Sequence, residues 1–396
     1  MKILIKHLAI VLLFATFVTL ATGQKKHATY AVTDLTSLGG ISRGNSINNN
    51  AWVSGYSNRT PDNVRRATLW INGGTPIDLG SLAGPNGFSS VVWPAKNNNG
   101  LIAGISQTTR DDANNENWSC SPFLYGTFEN PTGLTCVGFA WENGEMRELP
   151  RLGGNNAFVA GANNRGQITG WSENAVVDPQ CVAPQVLQFR PVIWGPGRDQ
   201  ITELPLIGTD TSGAATAIND RGQAVGISGI CDQAVGRRSA IHAVLWENGN
   251  AIEIVGNNGG PYWDTPMAIN DNGDVVGFVG RDNDIDGNLL RAFLWNKKDG
   301  FRYLAPLPGD VYSEARGINN KGQIVGVSCQ EGAVACKPVI WENGSSPAAN
   351  LDLLAPGYSG VLNTAQDIND DGQITGRATA ANGQRVSFLA TPIVVD

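Results

Sequence analysis

The chain has 396 residues, with 28 Lys and Arg against 35 Asp and Glu, a formal net charge of 28 − 35 = −7. An acidic chain without a basic block has no electrostatic footprint for nucleic acid or anionic membranes, which excludes those partners for the molecule as a whole. Forty-nine Gly, few charged residues and frequent Asn fit short strands joined by tight turns.

Lys2 and Lys6 precede an apolar run from Leu8 to Leu20, and Ala21-Thr22-Gly23 places small residues where a signal peptidase cuts. Thirteen apolar residues are too few to span a bilayer, which takes roughly 20. Residues 1–23 therefore read as a cleaved secretory signal. The expectation is a mature chain from Gln24 that forms one domain over 24–396, outside the cytoplasm and without membrane insertion.

Tyr30-Ala-Val-Thr-Asp-Leu35 is the first strand signal. After it comes Ser46-Ile-Asn-Asn-Asn-Ala-Trp-Val-Ser-Gly55, a phrase that recurs six more times, for example as Gly317-Ile-Asn-Asn-Lys-Gly-Gln-Ile-Val-Gly326. Its first Asn falls at 48, 97, 163, 219, 270, 319 and 369, at intervals of 49, 66, 56, 51, 49 and 50. A period near 50 is the signature of a repeat architecture.

The sixth unit gives the pattern. Ser313 to Ile318 reads as a strand and Asn319-Asn-Lys-Gly322 as a turn. Gln323 to Ser328 is a second strand, Lys337-Pro-Val-Ile-Trp341 a third, and the approach to Leu351-Asp-Leu353 a fourth. Four short strands per unit, arranged radially, make an all-β propeller of antiparallel blades. Seven phrases predict seven blades. The seventh unit runs out after Phe388-Leu389, so the strand at Tyr30–Leu35 is expected to complete that blade and close the ring.

In such a blade, with strands a to d counted outward, the b–c and d–a connections share one face. Every length insertion falls in a b–c loop, so that face is the expected binding face. All six cysteines lie there too: Cys120 and Cys136 in the second unit, Cys181 and Cys231 in the third and fourth, Cys329 and Cys336 in the sixth. In an exported chain they predict disulfides, and proximity favours 120–136, 181–231 and 329–336. Asp282, Asp284 and Asp286 alternate before Gly287, half the pattern of a calcium loop. A bound calcium ion and a solvated acidic turn both fit this spacing.

Among the aromatic residues outside the repeat pattern, Trp93, Trp118, Tyr125, Tyr262 and Trp263 are placed in b–c loops or in or near d–a connections. Such side chains can stack on sugar rings, and they can equally pack beneath the loops. By contrast Trp70, Trp141, Trp194, Trp246, Trp295 and Trp341 recur once per unit and read as packing between blades. The basic residue four before the Trp (Arg66, Arg190, His242, Arg291, Lys337) reads as an inherited partner for nearby carboxylates.

The chain has no His-Glu-x-x-His or Cys-x-x-Cys. No catalytic residue can be nominated, although a carboxylate pair acting on polysaccharide survives that filter.

The combination of the Ile-Asn-Asn-x-Gly-Gln phrase, Ile241-His-Ala-Val-Leu-Trp246, Arg291-Ala-Phe-Leu-Trp295 and Thr33-Asp-Leu-Thr-Ser-Leu-Gly-Gly40 resembles the HAF repeat of bacterial extracellular proteins. The resemblance covers residues 30 to 390 and implies secretion and a repeat fold, with no established activity to transfer. The expectation is a secreted, non-enzymatic module that binds or adheres to a glycan or surface polymer. A polysaccharide hydrolase or lyase and an envelope-associated scaffold are the alternatives.

Overall fold

The computed structural model describes residues 28–116, 119–232, 234, 236, 238–254, 263–280 and 289–393. The expected signal segment lies outside these residues. Among them, no helix is long and apolar enough to cross a membrane.

The chain forms seven antiparallel four-stranded sheets, one per repeat, set as the blades of a propeller. In blade 1 strands a to d are Gly39–Ile47, Trp52–Arg59, Arg65–Ile71 and Ile77–Asp78. Blade 7 is made from both ends of the chain. Val361–Ile368, Ile374–Thr379 and Arg385–Ile393 supply strands a to c, and Thr29–Leu35 pairs antiparallel with Arg385–Ile393 as strand d. The N-terminal strand thus closes the ring, as its lack of a unit of its own predicted. In blade 6 the outer strand is only Ala349–Asn350, and Asp352–Leu354 is a 3-10 turn. The outer strand thus lies on the approach to Leu351-Asp-Leu353, as expected, and stops there: Asp352 turns its carboxylate back to accept from the Leu362 amide at 2.8 Å.

The repeated phrase builds the end of the ring opposite the b–c loops. The first Asn of each blade donates from Nδ2 to the backbone carbonyl of the first Asn of the next. The bonds run Asn48 to Asn97, Asn163, Asn219, Asn270, Asn319 and Asn369, and back to Asn48, at 2.7 to 3.1 Å. The same side chains accept from two amides of their own turn through Oδ1, as Asn319 does from Lys321 and Gln323. A second circuit lies beside the first. The amide of each following residue donates to the side chain of its counterpart in the next blade, from Asn49 to Asn98 and around to Asp370, which returns to Asn49. Both circuits cross the junction between the chain's ends, so the repeat specifies ring closure as well as the turn.

The glycine ending the phrase has a different cause. A Cβ on Gly326 would stand 1.9 Å from the Glu314 carbonyl oxygen, because the inner strand bulges towards it. The turn position takes a left-handed conformation, with Gly322 at φ 79° and Ala51 at the equivalent place at φ 57°.

Between blades, the recurrent Trp side chains pack in the core and several donate from Nε1 to the preceding blade. Trp70 bonds the Thr36 carbonyl, Trp194 that of Pro150, Trp246 that of Pro205 and Trp341 that of Ala305, at 2.6 to 2.8 Å. Burying a Trp is favourable only if its N–H keeps a partner, and here the partner fixes the blade spacing.

Candidate functional site

Strand a of each blade lines the central axis. In six blades its register with strand b slips by one residue, leaving Asn45, Ala160, Thr216, Met267, Arg316 and Gln366 unpaired in the ladder. Each stands three residues before the first Asn of the phrase. A bulge re-aims the extra side chain, and all six line one axial cavity of about 300 Å³. Residues two positions earlier, including Arg43, Val92, Phe158, Ala214 and Glu314, line the same space. On the b–c and d–a face, Ser119, Phe123 and Ala234 from two b–c loops and Trp263 from a d–a connection form its rim.

The opposite end is stopped by Lys96, which reaches from blade 2 across the axis. Its Nζ donates to the carbonyls of Ile318 and Ile368 and pairs with Asp367 Oδ1 at 2.9 Å. A smaller cavity of about 80 Å³ on the Asn-turn side shares no lining residue with the larger one. The axial cavity is thus a cup rather than a tunnel.

Its wall has two chemistries. Blades 2 and 3 contribute an aromatic arc of Trp93, Phe123, Phe158 and Trp171, with successive ring centroids 5.5 to 6.1 Å apart, and Phe189 backs Trp171 at 5.4 Å. Trp263 continues the apolar side, set edge-on to Phe278 at 5.9 Å. Blades 1, 6 and 7 contribute Arg43, Tyr56, Arg65, Glu314, Arg316 and Gln366. Arg65 lies over the Tyr56 ring, 4.1 Å from its centroid, and donates to the Phe123 carbonyl at 2.7 Å.

Glu314 is the cup's one carboxylate among the described residues. Burial works against its charge, but Arg316 at 2.8 Å, the Tyr312 hydroxyl and Arg43 outweigh burial and hold it below the usual carboxylate range. Burial, and then the like charge of Arg316, push the Arg43 guanidinium down. Three buried polar atoms in this wall have no hydrogen-bond partner: Arg43 Nε, Asn45 Oδ1 and Trp263 Nε1. Native structures leave few such atoms unpaired, because each costs about 1–3 kcal/mol.

Of the expected ligand contacts, Trp93 and Trp263 meet at this cup, as partly buried wall rather than exposed platforms. Tyr125 does not join them. It packs edge-on against Phe88 at 4.9 Å beneath its loop and bonds Thr132. Trp118 and Tyr262 lie outside the described residues, as do Asp282, Asp284 and Asp286. Among the described residues, no group of three or more His, Cys, Asp or Glu is arranged to hold a metal ion.

Cys120–Cys136, Cys181–Cys231 and Cys329–Cys336 are disulfides. The first and third pin b–c loops within a blade, and the second ties blade 3 to blade 4. The recurrent basic residues face their own blades: Arg66 pairs with Asp78, Arg190 with Glu203, His242 with Asp210 and Lys337 with Asp310, while Arg291 lies over Tyr303.

No protein-family model and no curated protein matches the chain. Solved structures match in fold. The acylaminoacyl peptidase of Pyrococcus horikoshii aligns with a TM-score of 0.51 at 9% identity, over 90% of this chain and 52% of its own. A prolyl endopeptidase aligns at 0.51 and 9%, over 93% and 51%. Puromycin hydrolase gives 0.50 and 12%, over 89% and 53%. The chain spans about half the length of these proteins, and at such identities the likeness is one of fold alone.

Proposed function

We propose that this chain is an extracellular binding module that takes a glycan in the axial cup. The observation that carries the reading is the cup's wall: an aromatic arc faces polar groups, and Asn45 Oδ1 and Trp263 Nε1 are sealed there without partners. A sugar ring presents apolar C–H faces to aromatic side chains and hydroxyls to stranded donors and acceptors. The three disulfides support an oxidising compartment outside the cytoplasm, in keeping with the resemblance to the HAF repeat. A polysaccharide hydrolase of the usual kind would need two facing carboxylates, and among the described residues the cup has Glu314, held by Arg316.

The test is the chain from Gln24 onward against a panel of polysaccharides, scoring retention and newly released sugar ends together. Retention without release is expected, and Trp263→Ala should weaken it about tenfold or more while leaving the fold intact. Absence of retention by every glycan would refute the reading, and release of sugar ends would replace it with catalysis.

A further inference from the structure

The cup shares part of its wall with a second cavity. Glu314 and Arg316 also line a cleft of about 450 Å³ between blades 6 and 7, whose far side carries Arg377 and Arg385. Five arginines (Arg43, Arg65, Arg316, Arg377 and Arg385) therefore line two adjoining cavities with a single carboxylate among their described lining residues. That carboxylate is already engaged: Arg316 and Tyr312 bond its two oxygens. The local balance is 5 − 1 = +4 on a chain whose total is −7.

Among the described residues, Arg43, Arg65, Arg377 and Arg385 have no ion-pair partner. Arg385 is exposed and solvated, but the half-buried Arg43, Arg65 and Arg377, set into a cavity wall, are costly without counter-charge. Burial lowers the pKa of Arg43, Arg65 and Arg377, and mutual repulsion among Arg43, Arg316, Arg377 and Arg385 lowers those of Arg43 and Arg377 further.

Resting on the glycan reading of the cup, we infer that the ligand is an acidic saccharide chain whose first unit sits in the axial cup and whose next units leave through the blade 6–7 cleft. There Arg377 and Arg385, on the far side of the cleft, bind the anionic group of a unit beyond the first two. The planar guanidinium suits carboxylate and sulfate alike, so the shared chemistry is an anionic oligosaccharide. The aromatic arc opposite Arg43 and Arg316 holds the ring faces, and the pair at the cleft measures chain length.

The experiment compares binding of a uronic acid dimer, a uronic acid hexamer, a sulfated hexamer and a neutral hexamer to the mature chain, and to a variant carrying Arg377→Gln and Arg385→Gln. An anionic hexamer should bind at least about tenfold more tightly than the neutral one, with affinity falling as salt rises. The double substitution should remove most of the hexamer's advantage over the dimer and leave dimer binding unchanged. Both positions lie outside the core, and removing unpaired positive charge should not lower the melting temperature, so misfolding is separable from lost contact.

The stronger of the uronate and sulfate series identifies the anion. Equal affinity for neutral and anionic hexamers would overturn this inference and leave the glycan reading standing. So would a double variant that weakens dimer and hexamer alike. No binding by any saccharide would overturn both.

Discussion

Asn319 makes four hydrogen bonds from a nearly inaccessible position. Oδ1 accepts from the amides of Lys321 and Gln323, and Nδ2 donates to the Asn369 carbonyl and to Gln323 Oε1. The first pair folds the turn, and the bond to Asn369 joins blade 6 to blade 7. Asn319→Asp separates these roles, because it keeps the turn acceptor but sets an oxygen against the Asn369 carbonyl. The expected cost is about 1–3 kcal/mol, read as a lowered denaturant midpoint, and an unchanged midpoint would mean the circuit adds nothing to blade docking. The same logic explains why the site was poorly legible in the sequence. The repeated residues drew attention because they recur, and they recur because every blade needs the same ring and turn. The cup is lined instead by positions where the repeat does not agree with itself: Asn45, Ala160, Thr216, Met267, Arg316 and Gln366 three residues before the Asn, and Arg43, Val92, Phe158, Ala214 and Glu314 five before it. That variation at a fixed offset was the available signal. Reading it required knowing that the strand bulges there and turns both positions towards the axis.

Strands were legible where a physical constraint repeats. Inner and middle strands are bounded by the Asn turn and the Trp, so their places follow from the phrase, and the closing strand at Thr29–Leu35 follows from counting units. Outer strands were less certain, because two residues of pairing such as Ala349–Asn350 leave no periodicity to read. The disulfide pairing was accessible because propeller topology brings equivalent loops of adjacent blades together, which places Cys181 beside Cys231 across 50 residues of sequence. That separation has a thermodynamic consequence. In the chain-entropy account, closing 50 residues stabilises by about 4 kcal/mol and closing 7 by about 2 kcal/mol. Replacing Cys181 and Cys231 with alanine should therefore lower the unfolding free energy more than replacing Cys329 and Cys336. The reverse order in denaturant titrations would show that loop packing, rather than loop entropy, sets the value of these bonds.

Taken as a whole, the molecule holds its ring by two hydrogen-bond circuits and a strand shared between its ends, and this frame accommodates buried acidic groups that make stability depend on pH. Asp112, Glu116 and Glu173 come together where the blade 2 loop meets blade 3. Asp112 and Glu173 both accept from Asn156 Nδ2, and Glu116 accepts from the amides of Val186 and Leu187. Burial, then the charges of Glu116 and Asp112, push Glu173 up to about 8 against bonds from Gln185 and Asn156. Burial and then Glu253 push Asp264 up to about 8 as well. Between their ordinary values and about 8, the folded chain holds protons at these two sites that the unfolded chain has released. Their contribution is therefore full below the ordinary carboxylate range and is lost progressively as pH rises to about 8. Glu314 and Asp370, whose pKa values are lowered, act in the opposite sense and lose their contribution only as acid protonates them. The melting temperature should accordingly be higher near about pH 5 than near about pH 8. Glu173→Gln, which keeps a neutral side chain of the same shape at every pH, should raise the melting temperature near pH 8, change it little near pH 5, and flatten the profile between them. A variant that shifts both ends equally would show that Glu173 is charged in the folded chain throughout, with its hydrogen bonds prevailing over burial.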